Sequence, residues 1–368
     1  MDTHHGINRR QLLIAAGTAL AATQLPSCAR GAIASGGGAT DSGIRLQPLP
    51  TRLYKTRDPG NERTESWTFW LLVETNAMRP LKIQSAAIQL LCDRHVIRAT
   101  QYDAEGIRAL AIVPPFTPRL PDGRDSPAPI YWPQAMRIRC SEAAAASIDA
   151  MHVELTLGDA GNAVRAEIAL PVETYEQKTV LIYPFKGKGI ITNAGVTHGG
   201  HRNRSGQFAL DGVGLDAGYA VYLSAHGRRS EDYAGWGRTV MAPAAGTVVR
   251  TRADRPDQPD PDNSDPKFFA PEFPNGGDPG NHAVIDHGNG EFSMLAHFQE
   301  KSLRVKTGDR VLQGQALARL GSSGDTVTPH LHYQLQSGPD HEWSDGLPCR
   351  FSNIESALLV KGTYFEAR

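Results

Sequence analysis

"MHVELTLGDAGNAVRAEIAL" occupies residues 151–170 and alternates apolar with polar side chains on both sides of a turn. The apolar positions run from Met151 to Leu157 in steps of two, and the same period resumes at Val164. Successive side chains of a strand point to opposite faces, so this period predicts two half-buried strands. The glycines between them, Gly158 and Gly161, favour a turn. The stretch therefore predicts a β-hairpin.

The same alternation recurs elsewhere in the chain. "SWTFWLLVETN" (66–76) places Trp67, Phe69, Leu71 and Val73 on one face. "HAVIDHGNGEFSMLAHF" (282–298) predicts two strands joined around an Asn-Gly turn. Helical periodicity is scarce, so we predict an all-β protein in which an N-terminal antiparallel β-sandwich precedes a second β-rich domain.

Shifts in composition divide the chain into segments. A Gly/Ser-rich stretch near its start is typical of a flexible linker, and scattered prolines mark a long loop between two strands of the second domain. We predict an export signal (1–34), a linker (35–44), a β-sandwich (45–173) and a second β-rich domain (174–368) with an inserted loop (253–281).

The N-terminus has the features of an export signal. The pair Arg9-Arg10 precedes a short run rich in Ala and Leu, which resembles a twin-arginine signal. An Ala-Ile-Ala sequence at 32–34 predicts cleavage, whereas "LPSC", ending at Cys28, resembles a lipoprotein box. We expect the protein in the periplasm or cell envelope, either released or tethered through a lipid on Cys28.

The overall composition is that of an ordinary soluble globular protein. The chain is 40% hydrophobic and carries a formal net charge of -1, which gives no electrostatic case for nucleic-acid binding. Three cysteines remain outside the signal, and an oxidising compartment would permit a bridge between Cys92 and Cys140, with Cys349 left over.

The inserted loop carries four aspartates at 257, 260, 262 and 265. Oxygen ligands of this kind suit calcium, but their spacing does not match an EF-hand loop. A solvated acidic loop is the preferred interpretation, and its position within the second domain also suits a lid.

Histidines and one aspartate suggest a metal centre in the second domain. "DTVTPHLHYQL" (325–335) puts His330 and His332 on one face of a strand, since side chains two apart share a face. His297 ends an apolar strand, and His201 and Asp211 lie upstream. Imidazole and carboxylate ligands suit Zn²⁺, and a catalytic site takes three of them beside an open position.

These motifs together resemble the lysostaphin/LytM-type zinc metallopeptidases, over about residues 190–336. "GDTVTPHLHYQL", "FSMLAHF" and an upstream His…Asp pair occur in the order of that family, as do the framework stretches "VMAPAAGTVV" and "VKTGDRVLQGQALARLGSSG". The resemblance implies a LytM-type β-rich peptidase fold.

The resemblance also implies a role for each site residue. His201, Asp211 and His332 would bind zinc, whereas His297 and His330 would orient or deprotonate the attacking water and stabilise the oxyanion. Nine residues separate His201 from Asp211, where many members have three. The longer spacing leaves His198 and Asp216 as rival ligands.

The activity implied is zinc-dependent hydrolysis of peptide bonds in peptidoglycan cross-links, with stem or cross-link peptides as the partners. The alternative is a non-catalytic LytM-like module that binds the wall or regulates another hydrolase. All five family positions are filled here, which favours the enzyme. A biotinyl- or lipoyl-type carrier is disfavoured, because no Met-Lys pair stands at a hairpin tip.

Overall fold

The computed structural model describes residues 43–58, 61–75, 81–112, 134–158, 161–195, 208–215, 229–260, 263–273, 277–341, 344–355 and 359–368. These residues form two nine-stranded sheet systems and one two-stranded sheet, which confirms the all-β prediction. Within the same ranges no helix is long and apolar enough to cross a membrane.

The first sheet system contains nine strands and one short helix. Its strands are β1 (Ile44–Leu49), β2 (Leu53–Asp58), β3 (Asn61–Thr75), β4 (Ile83–Cys92), β5 (His95–Tyr102), β6 (Ala111–Ile112), β7 (Gln134–Ala143), β8 (Ala150–Leu157) and β9 (Val164–Thr174). Helix α1 (Ala104–Leu110) follows β5, and a 3-10 turn (Ala144–Ala146) follows β7.

This first system is a sandwich whose two halves share one apolar core. Strands β1, β2, β3, β6 and β7 form one half, and β4, β5, β8 and β9 form the other, joined by a parallel pairing of β2 with β9. The predicted hairpin is β8–β9, with Leu157 opposite Val164. Its alternate apolar side chains meet Trp67, Phe69 and Leu71 of β3 in the core, as their period predicted.

The second sheet system holds the other strands. They are β10 (Gly187–Ala194), β11 (Leu210–Gly214), β13 (Gly246–Arg252), β14 (Asn281–Asp286), β15 (Phe292–Phe298), β16 (Arg310–Val311), β18 (Leu331–Gln336), β19 (Gly346–Leu347) and β20 (Tyr364–Ala367). Strands β12 (Thr239–Met241) and β17 (Ala316–Arg319) pair separately, and 3-10 turns occur at Ser230–Asp232 and Pro266–Phe268.

The order of this sheet places its central strands side by side. It runs β16-β13-β14-β15-β18-β11-β10-β20, with β19 on the edge of β18. Strands β14 and β15 form the predicted hairpin, and Asn289 and Gly290 at its tip both have positive φ. One face of the sheet buries an apolar core that includes Tyr183, Leu295, Tyr333 and Leu335.

Contacts tie the start of the first system to the second. The side chain of Tyr54 is buried in the core of the second system and stacks edge-on against Tyr175. The backbone N–H of Thr51 donates to Asp345 Oδ1 at 3.0 Å, and its hydroxyl donates to Oδ2. These contacts join residues from the two sides of the predicted domain boundary at 173–174. The boundary itself stays a prediction.

The cysteines are not paired as the sequence suggested. Cys140 and Cys349 are free thiols, so the predicted bridge between Cys92 and Cys140 was wrong. The reason lies in the sandwich: Cys92 ends β4 in one half and Cys140 lies within β7 in the other. Burial raises the pKa of both free thiols to about 12.

Candidate metal and catalytic centre

The polar face of β18 forms the floor of the candidate site. Leu331, Tyr333 and Leu335 point into the apolar core, so the alternate residues face the opposite way. That opposite face carries His332, preceded by His330. The two imidazoles therefore lie side by side on one surface, as the His-x-His spacing predicted.

Sheet register brings an aspartate to the same surface. Asp211 on β11 is directly opposite His332 on one side, and Ala296 on β15 is opposite it on the other. The Asp211 Oδ1 atom lies 3.1 Å from His332 Nδ1 and 3.5 Å from His330 Nε2. Asp211 and His330 are each 8% exposed, so these groups meet in a largely dehydrated setting. The amide of Asn193 donates to Asp211 Oδ2 at 3.0 Å and orients the carboxylate.

The fourth group, His297, reaches the cluster from the end of β15. Its ring centroid lies 4.7 Å from that of His330 and 5.8 Å from that of His332. Its backbone is left-handed, with φ of 64°. The His297 N–H donates to Pro279 O, and its C=O accepts from Gly321 N–H. The chain thus leaves the regular ladder where this side chain is presented.

His297 and His330 each have Nδ1 within hydrogen-bond distance of a backbone carbonyl. Nδ1 of His297 lies 2.8 Å from Ser323 O, and Nδ1 of His330 lies 2.7 Å from Thr328 O. A carbonyl only accepts, so both Nδ1 atoms donate and the lone pair of each neutral ring is on Nε2. Both rings therefore have a fixed tautomer, and Nε2 of His330 lies 3.5 Å from Asp211 Oδ1.

Burial and neighbouring charge shift the pKa of these rings in opposite directions. Burial lowers the pKa of His297 well below its usual value, and repulsion from His330 and His332 adds to the effect. Burial also acts to lower the pKa of His330, but the Asp211 carboxylate outweighs it, so that pKa is raised. The pair therefore differs in proton affinity although the rings are neighbours.

Four of the five predicted site residues are thus brought together: Asp211, His297, His330 and His332. The fifth, His201, lies outside the described residues, as do its rival His198 and the rival aspartate Asp216. The structure therefore gives the geometry of two of the three predicted ligands, Asp211 and His332, and the zinc-ligand set stays a prediction.

The arrangement at those two positions fits zinc. Two ligand atoms on one tetrahedral zinc ion lie about 3.3 Å apart at usual bond lengths. The distance between Asp211 Oδ1 and His332 Nδ1, 3.1 Å, is close to that value. Among the described residues, no group of three or more His, Cys, Asp or Glu side chains is arranged to hold a metal ion. A three-ligand site that includes His201 therefore stays a prediction.

Residues 228–342 match the family model described as Peptidase family M23. This segment is similar to peptidase family M23. It includes His297, His330 and His332, whereas Asp211 precedes it.

Two curated relatives are similar to a short part of this chain. Peptidoglycan DD-endopeptidases ShyC and ShyA of Vibrio cholerae are 44% and 39% identical to it over 56 residues. Each match covers 15% of this chain, and the matches span 12% and 13% of the relatives' own length.

Solved structures show weaker likeness. The catalytic domain of lysostaphin from Staphylococcus simulans is 18% identical, covers 44% of this chain and 88% of its own, and has a TM-score of 0.26. A zinc containing peptidase from Vibrio cholerae is 14% identical, covers 84% of this chain and 86% of its own, and has a TM-score of 0.28.

Sequence reasoning missed several residues that support the candidate site. Ser323 accepts from His297 and Thr328 from His330 through their backbone carbonyls, which leave no trace in side-chain type. Gln334 contacts His332, and Gln336 contacts Gln334. These glutamines had a signal: they continue the two-residue polar period that begins at His330.

The inserted loop is attached to the site by hydrogen bonds. Asp257 accepts from Ser322 N–H at 2.8 Å and from Glu300 N–H at 2.9 Å. The side chain of Gln258 donates to Gly324 O at 2.8 Å. Asn281 N–H donates to Ser323 Oγ at 2.9 Å. Both ends of the loop therefore hold the 321–325 turn, whose carbonyl at 323 orients His297.

Proposed function

We propose that this chain is an exported, zinc-dependent endopeptidase that hydrolyses peptide bonds in the cross-links of bacterial peptidoglycan. The observation that carries the proposal is the convergence of Asp211, His297, His330 and His332 on one buried surface, within an M23 domain. The names of the two Vibrio cholerae relatives favour a D,D-cross-link as the bond cut.

Zinc is the ion that this donor set suits best. Asp211 and His332 would hold it, together with His201. A bound zinc ion supplies a Lewis acid that polarises a carbonyl and lowers the pKa of water.

The other two histidines handle protons and charge. Nε2 of a neutral His297 or His330 can take a proton from the attacking water, because each Nδ1 is committed to a carbonyl. Once protonated, the same Nε2–H can donate to the oxyanion or return the proton to the leaving amine. The ring separation of 4.7 Å lets both reach one scissile bond.

Digestion of purified peptidoglycan tests the proposal. The wild-type protein should release muropeptides with broken cross-links, and His330→Ala should lower the rate by about 100-fold or more while retaining zinc. His332→Ala should lose the metal as well as the activity. The exposed His95 provides a control, because His95→Ala removes an imidazole far along the chain in β5.

The alternative function predicts a different result. A non-catalytic wall-binding or regulatory module would sediment with peptidoglycan and release no muropeptide, even when loaded with zinc. That outcome, with correctly folded protein, would overturn the enzymatic proposal.

Export to the periplasm or cell envelope is part of the proposal. Its support is the twin-arginine-like sequence, with Arg9-Arg10 and Cys28, which lies outside the described residues. We propose that the protein contacts the membrane only through this signal or a lipid on Cys28. Fractionation of cells producing wild-type protein and Cys28→Ala separates a released protein from a tethered one.

A further inference from the structure

A chain of buried amides runs along β18 away from the candidate metal ligand. Nε2 of His332 lies 2.9 Å from Gln334 Oε1. The amide nitrogen of Gln334 donates to Gln336 Oε1, and the amide nitrogen of Gln336 donates to Gly338 O at 2.7 Å. Gln334 is 1% exposed and Gln336 is fully buried, so solvent does not replace these partners.

The direction of this chain is set at its far end. The carbonyl of Gly338 can only accept, so the amide nitrogen of Gln336 must face it. The oxygen of Gln336 then faces Gln334 and accepts from the Gln334 amide nitrogen. The oxygen of Gln334 is left facing His332 and requires a donor, because a buried acceptor opposite another acceptor is unfavourable.

The Asp211 carboxylate on the other side of the His332 ring favours the opposite tautomer. Nδ1 of His332 lies 3.1 Å from the Asp211 carboxylate, which would favour a proton on Nδ1 when no metal is bound. A proton there would block the nitrogen that faces Asp211. The Gln334 oxygen, which needs a donor at Nε2, favours the proton on that nitrogen instead.

We propose that Gln334, held in one orientation by Gln336 and the Gly338 carbonyl, is a positioning residue that keeps the proton of His332 on Nε2 and leaves Nδ1 as the nitrogen that binds zinc. The inference rests on the proposed metal site. Neutral amide acceptors perform here the task that carboxylates or single carbonyls often perform behind metal-binding histidines.

Nitrogen-15 NMR of the metal-free protein, labelled at histidine, provides a test that needs no activity. At mildly alkaline pH, wild-type His332, assigned by its absence from His332→Gln, should show a protonated Nε2. In Gln334→Met, which has a similar volume but no acceptor, Nε2 should lose its proton in favour of Nδ1. Zinc affinity, measured by chelator competition, should fall by about 10-fold to 100-fold in the same variant.

Two further variants separate this role from folding. Gln334→Glu loses the donor to Gln336, which should lower stability, but it keeps an acceptor for His332 and should retain both the Nε2 proton and zinc affinity within a few-fold. Gln336→Met leaves Gln334 in place but no longer holds its amide in one orientation. The Nε2 proton and the zinc affinity should therefore be lost in part. Thermal unfolding of all variants identifies any that fail to fold.

The outcomes decide the inference. Retention of the Nε2 proton in folded Gln334→Met, or unchanged zinc affinity, would overturn it. If the wild-type protein bound no zinc, the proposed function would fail, while the Nε2 proton of the metal-free protein would still decide what the glutamines do.

Discussion

The backbone of His297 is held in a conformation that non-glycine residues rarely adopt. Its φ of 64° places it in the left-handed region, at a cost of roughly 1–2 kcal/mol for a residue with a Cβ. The neighbouring hydrogen bonds to Pro279 and Gly321 sustain this conformation. Strain of this kind clusters at functional sites, where it fixes the direction of a side chain.

The strain can be measured with a pair of variants that both lack the imidazole. His297→Gly should be more stable to unfolding than His297→Ala by about 1 kcal/mol, because only glycine adopts this φ without penalty. Urea unfolding gives the difference. Neighbouring Ala296, buried and without positive φ, is the control, since Ala296→Gly should destabilise the protein. Equal stability of the two His297 variants would contradict the strain.

At the residue scale, the sequence predicted which side chains lie together better than how they are held. The period of two placed His330 and His332 on one face, and family order supplied His297 and Asp211. The tautomers depend on carbonyls at 323 and 328, and any residue type can supply those. The left-handed backbone at His297 depends on contacts distant in sequence, so its own neighbours do not predict it.

At the scale of elements, local signals predicted the hairpins but not the attachment of the loop. Alternation plus a Gly-rich or Asn-Gly turn specifies β8–β9 and β14–β15 without reference to the rest of the chain. Proline content predicted an irregular segment at 253–281. Its hydrogen bonds to the 321–325 turn join residues more than forty positions apart, and no local pattern encodes them.

Asp257 tests whether this attachment supports the site. Its carboxylate accepts two backbone N–H groups, so Asp257→Asn replaces one acceptor with a donor and should destabilise the protein by about 1–3 kcal/mol. Because the 321–325 turn orients His297, peptidoglycan hydrolysis should also slow, with zinc content unchanged.

Asp254 is the matched control in the same loop. Its carboxylate is 64% exposed and pairs with Arg252 and Arg255 at the surface, so Asp254→Asn should change stability by less than about 0.5 kcal/mol. Equal effects of the two substitutions would show that the loop does not act through the turn.

At the scale of the whole molecule, two β systems with separate cores meet through a few specific contacts. Tyr54, which follows the first strand of the sandwich, contributes to the second core, and Thr51 is held by the buried Asp345. Asp345 N–H donates to Ser337 Oγ, one residue beyond the amide chain of β18. These contacts couple the unfolding of one system to that of the other.

Buried histidines should make that unfolding depend on pH. Burial lowers the pKa of His282 from 6.5 to about 4 and that of His341 to about 3. Both rings are therefore neutral in the folded protein, whereas the unfolded chain takes up protons below about pH 6.5. More protons are then bound by the unfolded state, so stability is fully present above that pH and falls as pH falls towards 4.

For His282 alone, the free energy of unfolding should drop by roughly 2 kcal/mol between about pH 7 and about pH 5. Urea unfolding at both pH values measures the drop, and His282→Asn should reduce it, since an amide can still donate to Gly280 O but does not titrate. His95→Asn is the control, because the exposed ring of His95 also bonds a carbonyl two residues back, at Asp93, and its loss should leave the drop unchanged. A drop of the same size in His282→Asn as in the wild type would assign the pH dependence to other groups.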